Sequence, residues 1–416
     1  MSQSWYKVDN VAKVFLATAS RRDPRVIRIS CTLQDPVQPE LLNEALRSTA
    51  REWPQFQVTL HRGLFWHYFE STDLLPTVHE EDKAPCAPLY VPERRNRLLY
   101  RVTYFNNRIN LEMFHALTDG NGGFLFLKSI VHNYLSLCHP QELLGAATPN
   151  SASAGEREQD SFRKFYGASK RSNVQKDPKA CHLRGLRLPY DQLQFFEAHL
   201  SVQEVLSKAR ALGVSMTSYI GASMMLAIYA ELPALERGKP ITISLPVNLR
   251  NYYPSETARN FFNSVYVGIV VKETDTLETL APQFDALLKE KLLPENIRAQ
   301  MDEFETLEHM PGIRPVPLVI KNAVVNLFTQ NADKRVTAVL SNMGRLSVPE
   351  KLTPYVRSFS AFSSAKTLFT VVTSYGDDLV LGTASALRST NVLSRLYRGF
   401  VQNGLAVTLY ATEVEK

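Results

Sequence analysis

The segment Met113–Gly123, MFHALTDGNGG, contains the residues of this chain that are best suited to do chemistry. His115 ends a predicted strand, and the alternation of Ile109, Leu111 and Met113 places it on the apolar face. A histidine kept neutral in this way can act as a general base, taking a proton from an alcohol or amine that attacks a thioester. The same pattern fits a core histidine whose hydrogen bonds are satisfied. No second histidine or carboxylate follows at metal-ligand spacing, so we expect no metal site.

A hairpin and a helix must hold this segment. The hairpin is predicted from strands Leu98–Phe105 and Ile109–Phe114, joined by a turn at Asn106–Arg108. A helix begins after Gly122-Gly123 and runs to about Leu137. Asp119-Gly120 is a turn signal between them, and we expect Gly120 to permit the tight turn that positions His115.

The second half of the chain repeats this plan, with a hairpin that turns at Gly376–Asp378 and feeds the helix Val392–Val401. The pattern predicts an α/β fold of two similar domains, each a mixed sheet flanked by helices. We expect an N-terminal domain over residues 1–150 and a C-terminal domain over residues 188–416. The basic segment 151–187 is predicted to be a linker between them. Clefts between domains are favoured ligand sites.

Composition narrows the possible classes of protein. The chain has 416 residues, of which 44% are hydrophobic and 21% charged, and this excludes a disordered chain, a coiled coil and a collagen-like fibre. A net charge of +6 is too small an excess to support nucleic-acid binding. The four cysteines lie far apart in the sequence. We find neither a signal peptide nor a membrane-spanning run, and we therefore expect a cytoplasmic location. Neither a Walker loop nor a dinucleotide fingerprint supports ATP or NAD chemistry.

The chain resembles a known family in the motif His115-x-x-x-Asp119-Gly120 and in four further segments that occur with it in a fixed order. These segments are EALRSTAREWPQF (Glu44–Phe56), RGLFWHYFE (Arg62–Glu70), PVNLRNYYPSETARNFFNSV (Pro246–Val265) and SNMG (Ser341–Gly344). Together they resemble the chloramphenicol acetyltransferase-like superfamily, which includes condensation domains, and in particular the bacterial alcohol acetyltransferase-like proteins. The resemblance covers nearly the whole chain.

The resemblance implies two chloramphenicol acetyltransferase-like domains with a tunnel between them, where a thioester donor and an acceptor meet at His115. It implies that His115 is the general base and that Asp119 is structural, paired with an arginine from the second half. Arg250 is the candidate partner, and its alternative is an exposed arginine before a Tyr-Tyr-Pro turn. Three further polar residues are candidates for the tunnel: Asn248, Ser341 and Asn342. We expect their side chains either to line the tunnel or stabilise the oxyanion of the tetrahedral intermediate, or to cap the ends of strands.

The chain departs from the family pattern at two points. Phe114 stands where many members have the first of two histidines, and the plant DFGWG motif is absent. The second histidine is the one credited with base chemistry, so catalysis is not excluded. The departures favour a stand-alone acyltransferase, with a non-catalytic binding or scaffold relative, a carrier-protein-dependent condensation enzyme and a thioester hydrolase as alternatives.

A basic stretch bears on the donor. Eight Lys and Arg residues lie from Arg163 to Arg187 against the single acid Asp177. They are suited to the phosphates of coenzyme A or the acidic face of an acyl carrier protein, although a solvated linker has the same composition. We expect acyl-CoA as the co-substrate, an alcohol or amine as the acceptor, no permanently bound cofactor, and a monomer.

Overall fold

A computed structural model describes residues 5–91, 96–147, 152–166, 178–189, 192–308 and 315–412, with the side chains of 302–308 left out. The strands in these ranges are β1 (Trp5–Lys7), β2 (Val26–Leu33), β3 (Val58–Arg62), β4 (His67–Ser71), β5 (Val78–Glu80), β6 (Tyr100–Phe105), β7 (Arg108–Phe114), β8 (Gln194–Ser201), β9 (Ile241–Asn248), β10 (Phe262–Ile269), β11 (Ala338–Arg345), β12 (Val356–Ser363), β13 (Leu368–Tyr375), β14 (Asp378–Ser385) and β15 (Thr408–Ala411). The helices are α1 (Asn10–Thr18), α2 (Pro39–Glu52), α3 (Gly120–Cys138), α4 (Ala154–Glu158), α5 (Ser161–Phe165), α6 (Val202–Ala211), α7 (Met216–Tyr229), α8 (Leu277–Lys291), α9 (Pro294–Glu308), α10 (Leu318–Asp333) and α11 (Asn391–Gln402).

The strands form three sheets. A sheet of five strands has the order β12-β2-β7-β6-β5, and a sheet of seven has the order β10-β9-β11-β13-β14-β8-β15. A small sheet, β1-β4-β3, lies beside them. Both large sheets mix parallel and antiparallel pairs, because β5 runs parallel to β6 and β11 runs parallel to β9 and β13. The predicted α/β class with mixed sheets and flanking helices is therefore confirmed.

Both predicted hairpins are present. β6 and β7 pair in antiparallel register from Tyr100–Met113 to Phe105–Arg108, and the loop between them is Asn106-Asn107. Asn106 has a φ of 50°, the left-handed conformation that two-residue hairpin turns require. β13 and β14 form the second hairpin, and a helix follows each of the two.

Strand β12 crosses from the C-terminal half of the chain to the five-stranded sheet. It falls within the range predicted as the C-terminal domain, yet it pairs with β2 from Val356–Leu33 to Ser363–Ile27 and completes the five-stranded sheet. β12 also lies close against β14, since a Cβ on Gly382 would come within 3.0 Å of the Ala361 carbonyl oxygen. The C-terminal half thus contributes an edge strand to the sheet that carries His115.

The described part of the segment predicted as a linker packs against the fold. It contains α4 and α5, and Phe162 of α5 packs edge-to-face on Phe261 with ring centroids 5.2 Å apart. Cys181 and Leu183 are buried in the core of the seven-stranded sheet. Three of its eight basic residues lie outside the described residues: Lys170, Arg171 and Lys176.

Helix α7 has almost no polar face, as its sequence predicts, and nine of its residues are buried. In the described ranges, no single helix is long and apolar enough to cross a membrane. One pair, α6 with α7, passes that test together by length and composition, and its helices are bent by 82°.

Candidate active site

His115 follows directly after strand β7, where the backbone fixes its position on both sides. Its N–H donates to the carbonyl oxygen of Arg25, at 2.7 Å, which continues the pairing of β7 with β2 by one residue. Its ring Nδ1 lies 3.0 Å from the carbonyl oxygen of Thr118. A carbonyl oxygen only accepts, so Nδ1 carries the proton. The lone pair is therefore on Nε2, which is the atom a general base uses.

The surroundings of the ring are aromatic. Phe15 of α1 lies 4.2 Å from the His115 ring and Phe262 of β10 lies 5.6 Å away, measured between centroids. Burial lowers the pKa of His115 from its ordinary value of 6.5. The Asp119 charge opposes this shift and the Arg25 charge adds to it. The imidazole is therefore neutral at pH 7, and the half-buried ring sits between the two halves of the chain.

Asp119 caps helix α3 and pairs with an arginine from the second half. Its Oδ1 accepts from the N–H of Gly122 at 2.9 Å, the usual N-cap bond. Its Oδ2 accepts from Arg250 Nη1 at 2.8 Å and from the N–H of Phe261 at 2.9 Å. The Asp119 and Arg250 side chains are 6% and 9% exposed. The ion pair expected from the resemblance is thus present and nearly buried, and the alternative of an exposed Arg250 does not hold.

The remaining donors of Arg250 go to backbone carbonyls. Nε and Nη2 donate to Thr257, at 3.0 and 2.8 Å, and Nη2 also donates to Arg259 at 2.7 Å. Asn248 completes the set, because its Oδ1 accepts from the backbone N–H of Arg250 at 3.1 Å and from Nη1 at 3.0 Å. Of the two readings left open for Asn248, the structure favours the cap.

The residue of this turn that must be glycine is Gly122, for close packing, whereas Gly120 has an ordinary backbone conformation. Gly120 is the first residue of α3 and does not have a positive φ, and a Cβ there would meet only the Met343 side chain, at 3.5 Å. A Cβ on Gly122 would come within 3.0 Å of both the Ala258 carbonyl oxygen and Thr118 Oγ1. Thr118 donates to that same Ala258 oxygen at 2.6 Å. Gly122 therefore allows the second half to pack against the start of α3.

The SNMG segment lies in the irregular end of β11. Asn342 Nδ2 donates to Thr217 Oγ1 at 2.9 Å, and its Oδ1 accepts from the N–H of Gly344 at 2.8 Å, where the chain turns with a φ of 73°. Asn342 is exposed and shapes its own turn, whereas Ser341 is half-buried. Met343 lies beside the His115 loop, since a Cβ on Gly120 would come 3.5 Å from its side chain.

Sequence reasoning missed a polar bridge behind His115. Asn260 Nδ2 donates to the His115 carbonyl oxygen at 3.1 Å and to Asp9 Oδ2 at 3.4 Å. Asp9 caps α1 through Ala12, at 2.7 Å, and burial raises its pKa to about 6 although the Arg259 charge opposes the shift. Asn260 lies within the segment Pro246–Val265 that carries the family resemblance, and this was the only sign in the sequence that it belongs to the site.

Arg25 was missed as well. It has a φ of 55°, and its Nη1 lies 3.2 Å from Asp23 Oδ2. Its guanidinium carbon lies 5.6 Å above the Phe15 ring, so the cation sits on the aromatic group that covers His115. Asp23 is held in turn by Ser364, which donates at 2.7 Å.

Metal-ligating side chains do not gather at this site. In the part of the chain that the structure describes, no three His, Cys, Asp or Glu residues form a group that could hold a metal ion. Cys31, Cys86, Cys138 and Cys181 are all free thiols.

Comparisons with solved structures show that this chain has a known fold. No family model and no curated protein sequence matches the chain. Among solved structures, polyketide synthase associated protein 5 from Mycobacterium tuberculosis is similar over 94% of this chain and 96% of its own, with TM-score 0.62 and 13% identity. The starter condensation domain of rhizomide synthetase RzmA, as a mutant in complex with C8-CoA, is similar over 96% and 94%, with TM-score 0.61 and 14% identity.

A third neighbour is TRI3 trichothecene 15-O-acetyltransferase from Fusarium sporotrichioides, with TM-score 0.60, 12% identity and coverage of 96% and 94%. These structures, which include a condensation domain and an acetyltransferase, share one two-lobed architecture. The chain adopts this fold over nearly its whole length, as its motifs predicted.

Proposed function

We propose that the protein is an acyltransferase that moves an acyl group from a thioester to an alcohol or amine, with His115 as general base. The observation that carries the proposal is the fixed tautomer of His115: Nδ1–H donates to Thr118 and Nε2 keeps its lone pair in a half-buried aromatic setting. Burial lowers the pKa of this ring, so the base form is present at neutral pH.

The proposed reaction uses His115 twice. Nε2 takes the proton of the acceptor O–H or N–H as that oxygen or nitrogen forms a bond to the thioester carbonyl carbon. The tetrahedral intermediate then collapses, the C–S bond breaks, and the imidazolium returns its proton to the leaving thiolate. The products are an ester or amide and a free thiol. Asp119 and Arg250 hold the loop and take no part in proton transfer, since both lie in a saturated hydrogen-bond network.

Acyl-CoA is the proposed donor, as co-substrate rather than bound cofactor. A solved structure of similar fold is in complex with C8-CoA, and this supports the choice. An acylated carrier protein stays the alternative, because other structures of this fold are condensation domains. The cytoplasmic location and the monomeric state remain predictions.

The test is turnover of an acyl-CoA series with a panel of alcohols and amines, measured as free thiol and as acylated product. His115→Ala should lower turnover by about 10²–10⁴-fold, the usual share of general-base catalysis. His79→Ala, on the exposed edge strand β5, is the matched control and should leave turnover unchanged. Turnover by His115→Ala within tenfold of wild type would exclude the base role.

Two other outcomes identify the alternatives. Thiol release with no acylated product would identify a thioester hydrolase. Saturable binding of acyl-CoA in native mass spectrometry, with no turnover for any acceptor, would support a non-catalytic binding relative.

A further inference from the structure

Helix α10 exposes its most apolar side chains. Val319, Ile320, Val324, Leu327 and Phe328 are 63%, 54%, 47%, 62% and 69% exposed. At 3.6 residues per turn these five lie within one half of the helix circumference, so they form one continuous face.

The opposite face of α10 packs on the protein and is more polar. The helix contacts α1, and its less exposed positions are the buried Leu318 and the half-buried Lys321, Asn322, Val325, Thr329 and Asp333. A surface helix normally buries its apolar stripe and exposes its polar one. Here the arrangement is reversed, which indicates that the exposed face meets an apolar surface outside the described fold.

The turn between β3 and β4 extends this face. The N–H of Leu318 donates to the Leu64 carbonyl oxygen at 2.9 Å, and Lys321 Nζ donates to the Phe65 carbonyl oxygen at 3.1 Å. The side chains of Leu64 and Trp66 on this turn are 70% and 55% exposed. We call the exposed face of α10, together with Leu64 and Trp66, the apolar platform.

Cationic residues surround the apolar platform. Arg62 precedes Leu64 of the apolar platform by two residues, and Lys334 and Arg335 directly follow α10. The only acid within α10 or residues 61–67 is Asp333, which pairs with Lys366 at 2.6 Å. An apolar helix face with an exposed tryptophan and a cationic rim is suited to the interface of an anionic membrane. A second copy of the chain would instead bring two cationic rims together.

We propose that the apolar platform docks this protein on the surface of a membrane that contains anionic lipids. Helix α10 contacts α1, and Phe15 of α1 lies 4.2 Å from the His115 ring, so a single helix connects the docked face with the candidate base. The docking itself does not depend on the chemistry at His115.

The test is flotation with vesicles of phosphatidylcholine alone and with added phosphatidylglycerol. Wild-type protein should float with the anionic vesicles and its tryptophan emission should shift to the blue. The double variant Leu327→Asp, Phe328→Asp should lose at least ~10-fold in bound fraction, because two large apolar side chains no longer enter the interface. Trp66→Phe should float normally with a smaller blue shift.

Leu144→Asp with Leu235→Asp is the matched control. These leucines are 78% and 85% exposed and lie outside the apolar platform, so flotation should be unchanged. Circular dichroism would establish that each variant is folded. The proposal is overturned if wild-type protein floats with neither vesicle, or if the folded platform variant floats as well as wild type. A wild-type dimer in light scattering that the platform variant abolishes would identify a second copy as the occupant, and would overturn it too.

Discussion

Asp119 and Arg25 carry the two charges that act on the candidate base, and they act in opposite directions. Among the groups that face His115, burial and the Arg25 cation lower the pKa of the ring, while Asp119 raises it. Asp9 lies further back, beyond Asn260. Activity that needs neutral His115 should rise with pH through a pKa below 6.5.

Arg25→Gln removes the cation, so the pKa of His115 should rise and the acid limb of the kcat/KM profile should move to higher pH. Activity should fall more at about pH 6 than at about pH 8, where both enzymes have a neutral base. Arg25→Lys keeps the charge and should restore the wild-type profile, and the exposed Arg21→Gln should not alter it. An unchanged profile in Arg25→Gln, with only a lower maximum, would mean that Arg25 acts through structure alone.

Local sequence identified part of this site. His115, Asp119 and Arg250 were found because a short motif and a resembling segment mark them, and the pairing of the last two is present. Phe15 and Asn260 lie 100 and 145 positions from His115, so only the folded chain reveals their contacts.

The start of helix α3 depends on one glycine. Gly122→Ala would force a Cβ against the Ala258 carbonyl oxygen and Thr118 Oγ1, which are backbone and buried groups with little room to move. We expect the free energy of unfolding to fall by about 1–3 kcal/mol, the usual cost of overpacking. Turnover should fall with it, because the same contact holds the His115 loop against the second half.

Gly120→Ala is the control within the same turn. Its Cβ would meet only the end of the flexible Met343 side chain, so urea unfolding should differ from wild type by less than about 0.5 kcal/mol. Equal losses in the two variants would contradict the assignment to Gly122.

Among the elements that the sequence did not predict, α1 and β12 have clear physical reasons. α1 has only nine residues, and helical periodicity is recognised over windows of 11–18 residues. Its one signal in the sequence is the N-cap residue Asp9. β12 reads VRSFSAFS, whose serines resemble a loop, and its partner β2 lies more than 300 positions earlier. By contrast, the hairpin that carries His115 is formed by neighbouring residues with clear alternation, and it was predicted almost to the residue.

Across the whole molecule, a charge cluster joins the two large sheets. Arg108 of β7 pairs with Glu197 of β8 and donates to Ser360 of β12 at 3.1 Å. His199 lies between two carboxylates, with Nε2 at 3.0 Å from Glu197 and Nδ1 at 2.9 Å from Asp378. Burial alone would lower the pKa of His199, but hydrogen bonds to the two carboxylates outweigh burial and raise it to about 9.

The stability that this cluster provides should depend on pH. The folded pKa of His199 lies above the ordinary value of 6.5, so its contribution is complete below about pH 6.5 and is lost as the pH rises through about 9. His199→Gln should lower the free energy of unfolding by about 2 kcal/mol near pH 6, allowing for partial solvent screening, and by much less near pH 10. Urea denaturation at both pH values measures the difference. His79→Gln, on the exposed strand β5, should have little effect at either pH. An equal loss for His199→Gln at both pH values would show that His199 does not stabilise the cluster through its charge.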